Sequence, residues 1–171
     1  MARFVTPVIS RGPAILEPRV SRGLAVADLF NDGQMNVVIE NLDGRPTILR
    51  NHGVASNHWV SFELAGTSSN RSAIGARVKI TAGGVRQTEE IHSGGSYISQ
   101  NDLRVHFGLG AATSIDKVEV RWPSGNLNSF GPVAADHFYA VLEPKGIVPV
   151  HQIRPCTTTI NPPAPSFRCR E

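Results

Sequence analysis

Between Trp59 and Leu142 the chain alternates apolar and polar residues in short runs, a pattern that predicts β-strands. Turn-forming Gly, Pro, Ser and Asn separate the runs, which is typical of a β-sandwich or a small barrel. Trp59 and Trp122 lie on these runs and are expected to anchor the core. We therefore predict a small antiparallel β-sandwich over residues 57–143. The apolar positions of its strands are Val60, Phe62, Leu64, Val78, Ile80, Leu103, Val105, Phe107, Leu109, Val118, Val120, Trp122, Phe138, Ala140 and Leu142.

A second, shorter β pattern precedes the sandwich. An apolar run at 24–28 and a β-branched run at 37–39 predict two strands. Asp43-Gly44 is a hairpin signal, after which residues 47–50 return as a third strand. The pattern predicts a β-meander over residues 21–53, so the whole fold is expected to be all-β.

The two ends of the chain show no such periodicity. Residues 1–20 are expected to be an irregular lead-in, because three prolines interrupt them. Residues 144–171 are rich in proline and poor in large apolar groups, which predicts a disordered, flexible tail. Cys156 and Cys169 both lie in that tail. A disulfide or two free thiols are equally compatible with their positions, so the cysteines indicate no compartment.

Composition narrows the classes of function. The 171 residues suffice for one good core, and the net charge of +3 comes from basic residues scattered along the sequence. Nucleic-acid binding is therefore not expected, since no basic stripe with stacking aromatics is present. No apolar run is long enough to span a membrane. The N-terminal apolar patch is too short and too interrupted by proline for a signal peptide, so the localisation stays open.

Four motifs give the chain a resemblance to a known domain. The stretches 66–78, 93–100, 103–110 and 118–125 resemble the ASPIC/UnbV domain in order and spacing. Residues 21–51 resemble the FG-GAP (VCBS-type, integrin-like) repeat that usually precedes it. Together they resemble the C-terminal part of the cartilage acidic protein 1 family and its bacterial relatives.

This resemblance implies a secreted or surface-attached protein that contains a propeller and serves adhesion or ligand binding. It carries over no catalytic residue. A propeller needs several repeats, whereas this sequence holds one, so a propeller-bearing second chain is a candidate partner.

The resemblance also implies a weak calcium site in the loop that begins at Asp28. Asp28, Asp32, the Gln34 carbonyl and Asn36 occupy four of the five liganding positions of such loops, but Phe30 stands at the remaining one. Calcium prefers six to eight oxygens, so binding on the order of 10⁻⁴–10⁻³ M is expected. The alternative is that the loop is only a turn, in which the two carboxylates accept backbone N–H groups.

The segment 92–102 contains Ser, His and Asp, but it has no G-x-S-x-G elbow, and a structural turn explains its small residues. Its polar and aromatic side chains could instead contact a sugar or a peptide. The candidate ligand-binding residues are Ser96, Tyr97, Gln100 and Asn101, together with Arg71 in the polar loop 67–73.

The sequence thus predicts a non-catalytic module that binds a carbohydrate or protein partner. Two alternatives stay open: a scaffold that completes a propeller encoded by another chain, and an accessory domain of a hydrolytic or biosynthetic system.

Overall fold

The computed structural model describes residues 17–53 and 56–149, and all regular structure in these ranges is β, as predicted. Because no helix forms in this part of the chain, it contains none that could cross a membrane. Contacts divide the described residues into two compact units, one formed by 17–53 with 92–102 and the other by 56–91 with 103–149. The strands are β1 (Ser21–Ala27), β2 (Asn36–Asn41), β3 (Thr47–Leu49), β4 (His58–Ala65), β5 (Arg77–Ala82), β6 (Val85–Glu90), β7 (Val105–Gly110), β8 (Ser114–Ile115), β9 (Lys117–Arg121), β10 (Leu127–Phe130), β11 (Val133–Ala134), β12 (His137–Leu142) and β13 (Gly146–Val148).

The first unit contains the three-stranded meander. Its strands pair antiparallel in the order β1-β2-β3. Asp43 takes a positive φ of 54° between β2 and β3, as Asp and Asn do in tight hairpin turns. The segment 92–102, which the sequence pattern placed inside the sandwich, packs with this meander instead.

The second unit is the sandwich. Two four-stranded sheets, ordered β10-β9-β5-β6 and β13-β12-β4-β7, carry the main core, and β8 pairs with β11 beside them. Alternate residues of the strands point inward because successive side chains of a strand face opposite sides. The inward positions predicted on β4, β5, β7 and β9 are confirmed. The side chains that are 0 % exposed include Val60, Phe62, Val78, Ile80, Val118 and Val120.

One strand pairing departs from the antiparallel pattern. β12 lies parallel to β4, with Tyr139 opposite Phe62 and Val141 opposite Leu64. Tyr139 and Val141 therefore face the main core. Ala140 and Leu142, which were expected to continue the main apolar face, pack in a smaller cluster on the other side of the sheet. Both faces of β12 are apolar, so alternation alone could not show which face is which.

The sandwich extends beyond the predicted boundary at residue 143. Gly146–Val148 forms β13, which pairs antiparallel with β12, so the segment expected to be a flexible tail begins with a strand. The other residues of that predicted tail from 150 onward, Cys156 and Cys169 among them, lie outside the described residues, as do residues 1–16 of the predicted lead-in.

Candidate functional site

The segment 92–102 is attached to the outer edge of β1. Ser96 Oγ accepts a hydrogen bond from the Leu24 backbone N–H at 3.3 Å, and Ser99 Oγ donates one to the Leu24 carbonyl at 2.8 Å. β1 is an edge strand of its sheet, and an open edge leaves backbone groups that another chain could pair with. The two serines satisfy these groups at Leu24.

The attachment continues one pleat further along β1. Asn101 Oδ1 accepts the Val26 N–H at 3.0 Å, and the Asp102 N–H donates to the Val26 carbonyl at 2.9 Å. Three side chains and one backbone N–H of the segment thus bond to the backbone groups of Leu24 and Val26 at the edge of β1. Ser96 and Asn101, which were predicted to contact a ligand, are engaged in these internal bonds.

Gln100 holds the segment closed. Its Oε1 accepts the Gly94 N–H at 2.6 Å, while its Nε2 donates to the carbonyls of Asn101 at 2.8 Å and His92 at 3.3 Å. Both ends of the loop are therefore tied together by one amide side chain. Gln100, like Ser96 and Asn101, has a clear internal role.

The tip of this braced loop is exposed. The relative exposure is 61 % for Tyr97 and 87 % for Ile98. Ile98 takes a positive φ of 45°, a conformation that β-branched residues rarely adopt. The Tyr97 carbonyl lies so near β1 that a Cβ on Gly23 would stand 2.7 Å from it, so the close approach requires glycine. The loop thus presents an aromatic and an aliphatic side chain on a fixed backbone.

The predicted calcium loop adopts the geometry of a turn. Asp28 is 4 % exposed, and its two carboxylate oxygens accept the N–H groups of Asp32 at 3.2 Å and Gly33 at 2.8 Å. Asp32 Oδ1 accepts the Gln34 N–H at 3.0 Å. These bonds are those expected for carboxylates that cap a turn.

The other two proposed ligands are also engaged. Asn36 Nδ2 donates to the Gln34 carbonyl at 2.7 Å, and Asn36 Oδ1 accepts the Asn51 N–H at 3.0 Å. The Arg50 guanidinium lies 3.5 Å from Asp32 and stacks over the Phe30 ring. In the described part of the chain no three acidic, His or Cys side chains are grouped so as to hold a metal ion. As arranged, these residues do not fit a calcium shell, so the geometry favours the alternative in which the loop is only a turn.

The sandwich contains a buried carboxylate that the sequence pattern did not reveal. Glu143 is 0 % exposed and accepts hydrogen bonds from both neighbouring loops. From one loop, Oε2 accepts the N–H groups of Thr67, Ser68 and Ser69 at 3.0, 3.1 and 2.8 Å. From the other, Oε1 accepts Asn126 Nδ2 at 3.0 Å and the Ser124 hydroxyl.

These bonds decide the charge of Glu143. Burial alone would raise the pKa of Glu143, but the bonds from Ser124, Ser69, Thr67 and Asn126 outweigh it and lower the pKa from its ordinary value of 4.5 to about 2. The group is therefore an anion at neutral pH and anchors the loops 66–70 and 123–126. The stretches 66–78 and 118–125, two of the four that resemble the ASPIC/UnbV domain, thus both contact Glu143.

Arg71 and the two tryptophans occupy different environments within the sandwich unit. Arg71 is exposed in the loop that Glu143 anchors, and its carbonyl accepts the Gly66 N–H at 3.2 Å. Trp122 is 2 % exposed, as expected of a core anchor, and donates from Nε1 to Asn128. Trp59 is not in the core, because it stacks on His106 with ring centroids 5.9 Å apart on the opposite face from Val60.

Comparison with known proteins finds similarity over most of the sandwich unit. Residues 66–148 match the family described as "ASPIC and UnbV". The chain is also similar to cartilage acidic protein 1 of Mus musculus, to which it is 27 % identical over 139 residues. That alignment covers 79 % of this chain and 21 % of the relative, so the chain spans about a fifth of the length of the curated protein. The matched family range includes β13 and both loops that bind Glu143.

Proposed function

We propose that this chain is a non-catalytic binding module that recognises a carbohydrate or protein partner through the tip of the 92–102 loop. The observation that carries the proposal is the exposure of Tyr97 and Ile98 on a backbone held by hydrogen bonds at both ends. An aromatic ring offers a large apolar face and a hydroxyl, which suits a sugar ring or a peptide.

Three features of the loop support recognition over a purely structural turn. The backbone of the loop is already ordered before a partner binds, and this reduces the entropy cost of binding. The backbone of Ile98 is strained, and strained residues are concentrated in loops that have a function. The side chain of Ile98 is 87 % exposed and therefore does not stabilise the fold by burial, whereas covering it with a partner would remove apolar surface from water.

The polar residues of the loop have a bracing role in this proposal. The hydroxyls of Ser96 and Ser99 both bond to the backbone of Leu24, whereas serine catalysis requires the hydroxyl to bond to a general base. Tyr97 is the contact residue, and Arg71 is a second candidate contact on its own exposed loop. The family match and the similarity to a protein named for cartilage support an extracellular setting for such a module.

A printed glycan array and a panel of immobilised matrix proteins test the proposal. The wild-type chain is expected to bind a defined subset, and a Tyr97→Ala, Ile98→Ala double variant is expected to lose that binding. Val85→Ala is a matched control, because Val85 is 60 % exposed on β6 and lies outside the loop. Equal loss of binding in the control, or unchanged binding in the double variant, would exclude the loop tip as the recognition site.

A second function is favoured by the composition of the meander. Every buried hydrophobic residue of the described chain lies in the sandwich unit, while the buried residues of β1–β3 and their loops are the polar Asp28, Asn36 and Asn41 and two glycines. Leu24 and Ile48 are 39 % and 57 % exposed. A sheet with apolar residues on its surface and no core of its own is typical of an element that another sheet covers. The meander would then be a scaffold piece that packs on a sheet of a second, propeller-bearing chain.

Sedimentation of the chain with and without a candidate propeller chain separates the two functions. The scaffold hypothesis predicts a stable complex that Ile48→Glu disrupts and Tyr97→Ala leaves intact. If the two chains sediment independently at micromolar concentration, the scaffold hypothesis is wrong.

A further inference from the structure

The outer face of the β10-β9-β5-β6 sheet collects basic residues that are far apart in the sequence. Arg77 and Lys79 alternate along β5 with the buried Val78 and Ile80, so they point away from the core. Residues directly opposite on neighbouring strands share a face. The register therefore adds two sets of side chains to the same face: Arg86, Thr88 and Glu90 from β6, and Lys117, Glu119 and Arg121 from β9.

This face carries more positive charge than its carboxylates can neutralise. Five cations (Arg77, Lys79, Arg86, Lys117 and Arg121, here called the cationic face) stand beside two carboxylates, Glu90 and Glu119. Glu119 is shared by Lys117 at 2.9 Å and Lys79 at 3.3 Å, and Glu90 pairs with Arg77 at 2.6 Å. Among the described residues, Arg86 and Arg121 form no ion pair.

Two of the five cations lie side by side at one end of the cationic face. Arg77 and Arg121 are directly opposite each other on β5 and β9, a like-charge pair that is unfavourable by itself. They line an open cleft of about 330 Å³ together with Glu90, Pro123 and the glycines at 75 and 125. Each guanidinium group at this cleft is a planar fork of N–H donors that can bind two oxygens of a sulfate or carboxylate group at once.

The two terminal stretches of the sequence do not have the charge to cover this face. Residues 1–16 and 150–171 contain five arginines and, as their single acidic side chain, Glu171. Their composition is basic and therefore repels the cationic face. Neither stretch can therefore supply an anionic occupant.

The chemistry of the face favours a carbohydrate over other polyanions. Its outward side chains on β5, β6, β9 and β10 include no aromatic ring on which a base could stack, since Trp122 is buried and Phe130 points inward. Its cations are distributed in two dimensions at the spacing of strands and pleats, which suits charged groups on successive sugar units. We propose that the cationic face binds an acidic polysaccharide, with a sulfate or carboxylate group held between Arg77 and Arg121.

Calorimetric titration of the full chain with a heparin hexasaccharide in 0.15 M NaCl tests this inference. Arg121→Gln is expected to weaken binding about tenfold, as loss of one charge-assisted contact does. Glu90→Gln removes the competing carboxylate and is expected to tighten binding about threefold. Lys145→Gln makes the same charge change as Arg121→Gln in the β12–β13 turn and is expected to stay within about twofold of the wild type.

Opposite signs for Arg121→Gln and Glu90→Gln support the cationic face. Absence of binding at millimolar heparin, or equal weakening by Arg121→Gln and Lys145→Gln, overturns it. Tighter binding of oligothymidylate or of polyglutamate than of heparin would also overturn it, in favour of a nucleic acid or an acidic peptide. The inference does not depend on the loop tip: Tyr97→Ala is expected to leave heparin affinity unchanged, so the two proposals can fail separately.

Discussion

Replacing Glu143 by glutamine tests whether one buried carboxylate holds the loops of the sandwich in place. Glutamine has nearly the same shape, but it has no charge and presents an NH₂ group to a site built of donors. The backbone N–H groups of Thr67, Ser68 and Ser69 all point at the oxygen Oε2 of Glu143. At least some of these donors would lose their acceptor, and an unsatisfied buried donor is costly.

The pKa of Glu143 gives the size of the effect. A carboxyl whose pKa falls from 4.5 to about 2 on folding stabilises the folded state by about 3 kcal/mol at neutral pH. Because the folded pKa lies below the unfolded one, this stabilisation is complete above pH 4.5 and declines as the pH falls toward 2. Glu143→Gln should therefore lower the free energy of unfolding by about 3 kcal/mol at pH 7 and by roughly half of that at pH 3.

Urea denaturation of the wild type and the variant at several pH values between 7 and 3 measures this difference. Glu89→Gln is a suitable control, because Glu89 is exposed on β6 and its replacement should cost less than about 0.5 kcal/mol. A loss below about 1 kcal/mol for Glu143→Gln at pH 7, or a loss that does not shrink in acid, would refute the reasoning.

Three further predictions concern the calcium loop, the braced segment and the core. Calcium added to 10 mM should give no saturable heat, because both oxygens of Asp28 accept backbone N–H groups; saturable heat that Asp28→Ala abolishes would restore the calcium hypothesis. Asn101→Ala should speed amide hydrogen exchange at Val26 about fivefold by removing a hydrogen bond worth about 1 kcal/mol, and an unchanged rate would contradict the bracing role. Ile80→Ala should lower the free energy of unfolding by about 2–5 kcal/mol in urea, whereas Ile147→Ala, at a position 41 % exposed, should cost far less; equal losses would argue against the assigned core.

The strands of the sandwich could be predicted because burying one face of a strand leaves an alternating pattern within the sequence of that strand. A strand with one face in the core must alternate, so Val78 and Ile80 stand out against Arg77 and Lys79 in the sequence itself. The meander could be predicted for a related reason, since the Asp43-Gly44 turn specifies its hairpin directly. Where both faces of a strand are apolar, as on β12, the sequence no longer shows which residues face the main core.

The candidate sites depend on pairings that no local pattern encodes. Ser96 and Asn101 resemble ligand-binding residues in the sequence, and only their contacts with β1 reveal a bracing role. Glu143 follows an apolar strand and gives no sign that three backbone N–H groups will point at it. Arg77 and Arg121 become neighbours through the β5–β9 register, and five basic residues that look scattered along the chain are gathered on one face in this way.

Affinities of single variants for one ligand taken from the glycan or matrix-protein screen test the central claim most directly. If Tyr97 provides the contact and Ser96 only braces the loop, Tyr97→Ala should weaken binding about tenfold or more, and Ser96→Ala should change it by less than about threefold. The opposite ranking, or turnover of the bound ligand that Ser96→Ala abolishes, would contradict a non-catalytic module that binds through its exposed loop tip.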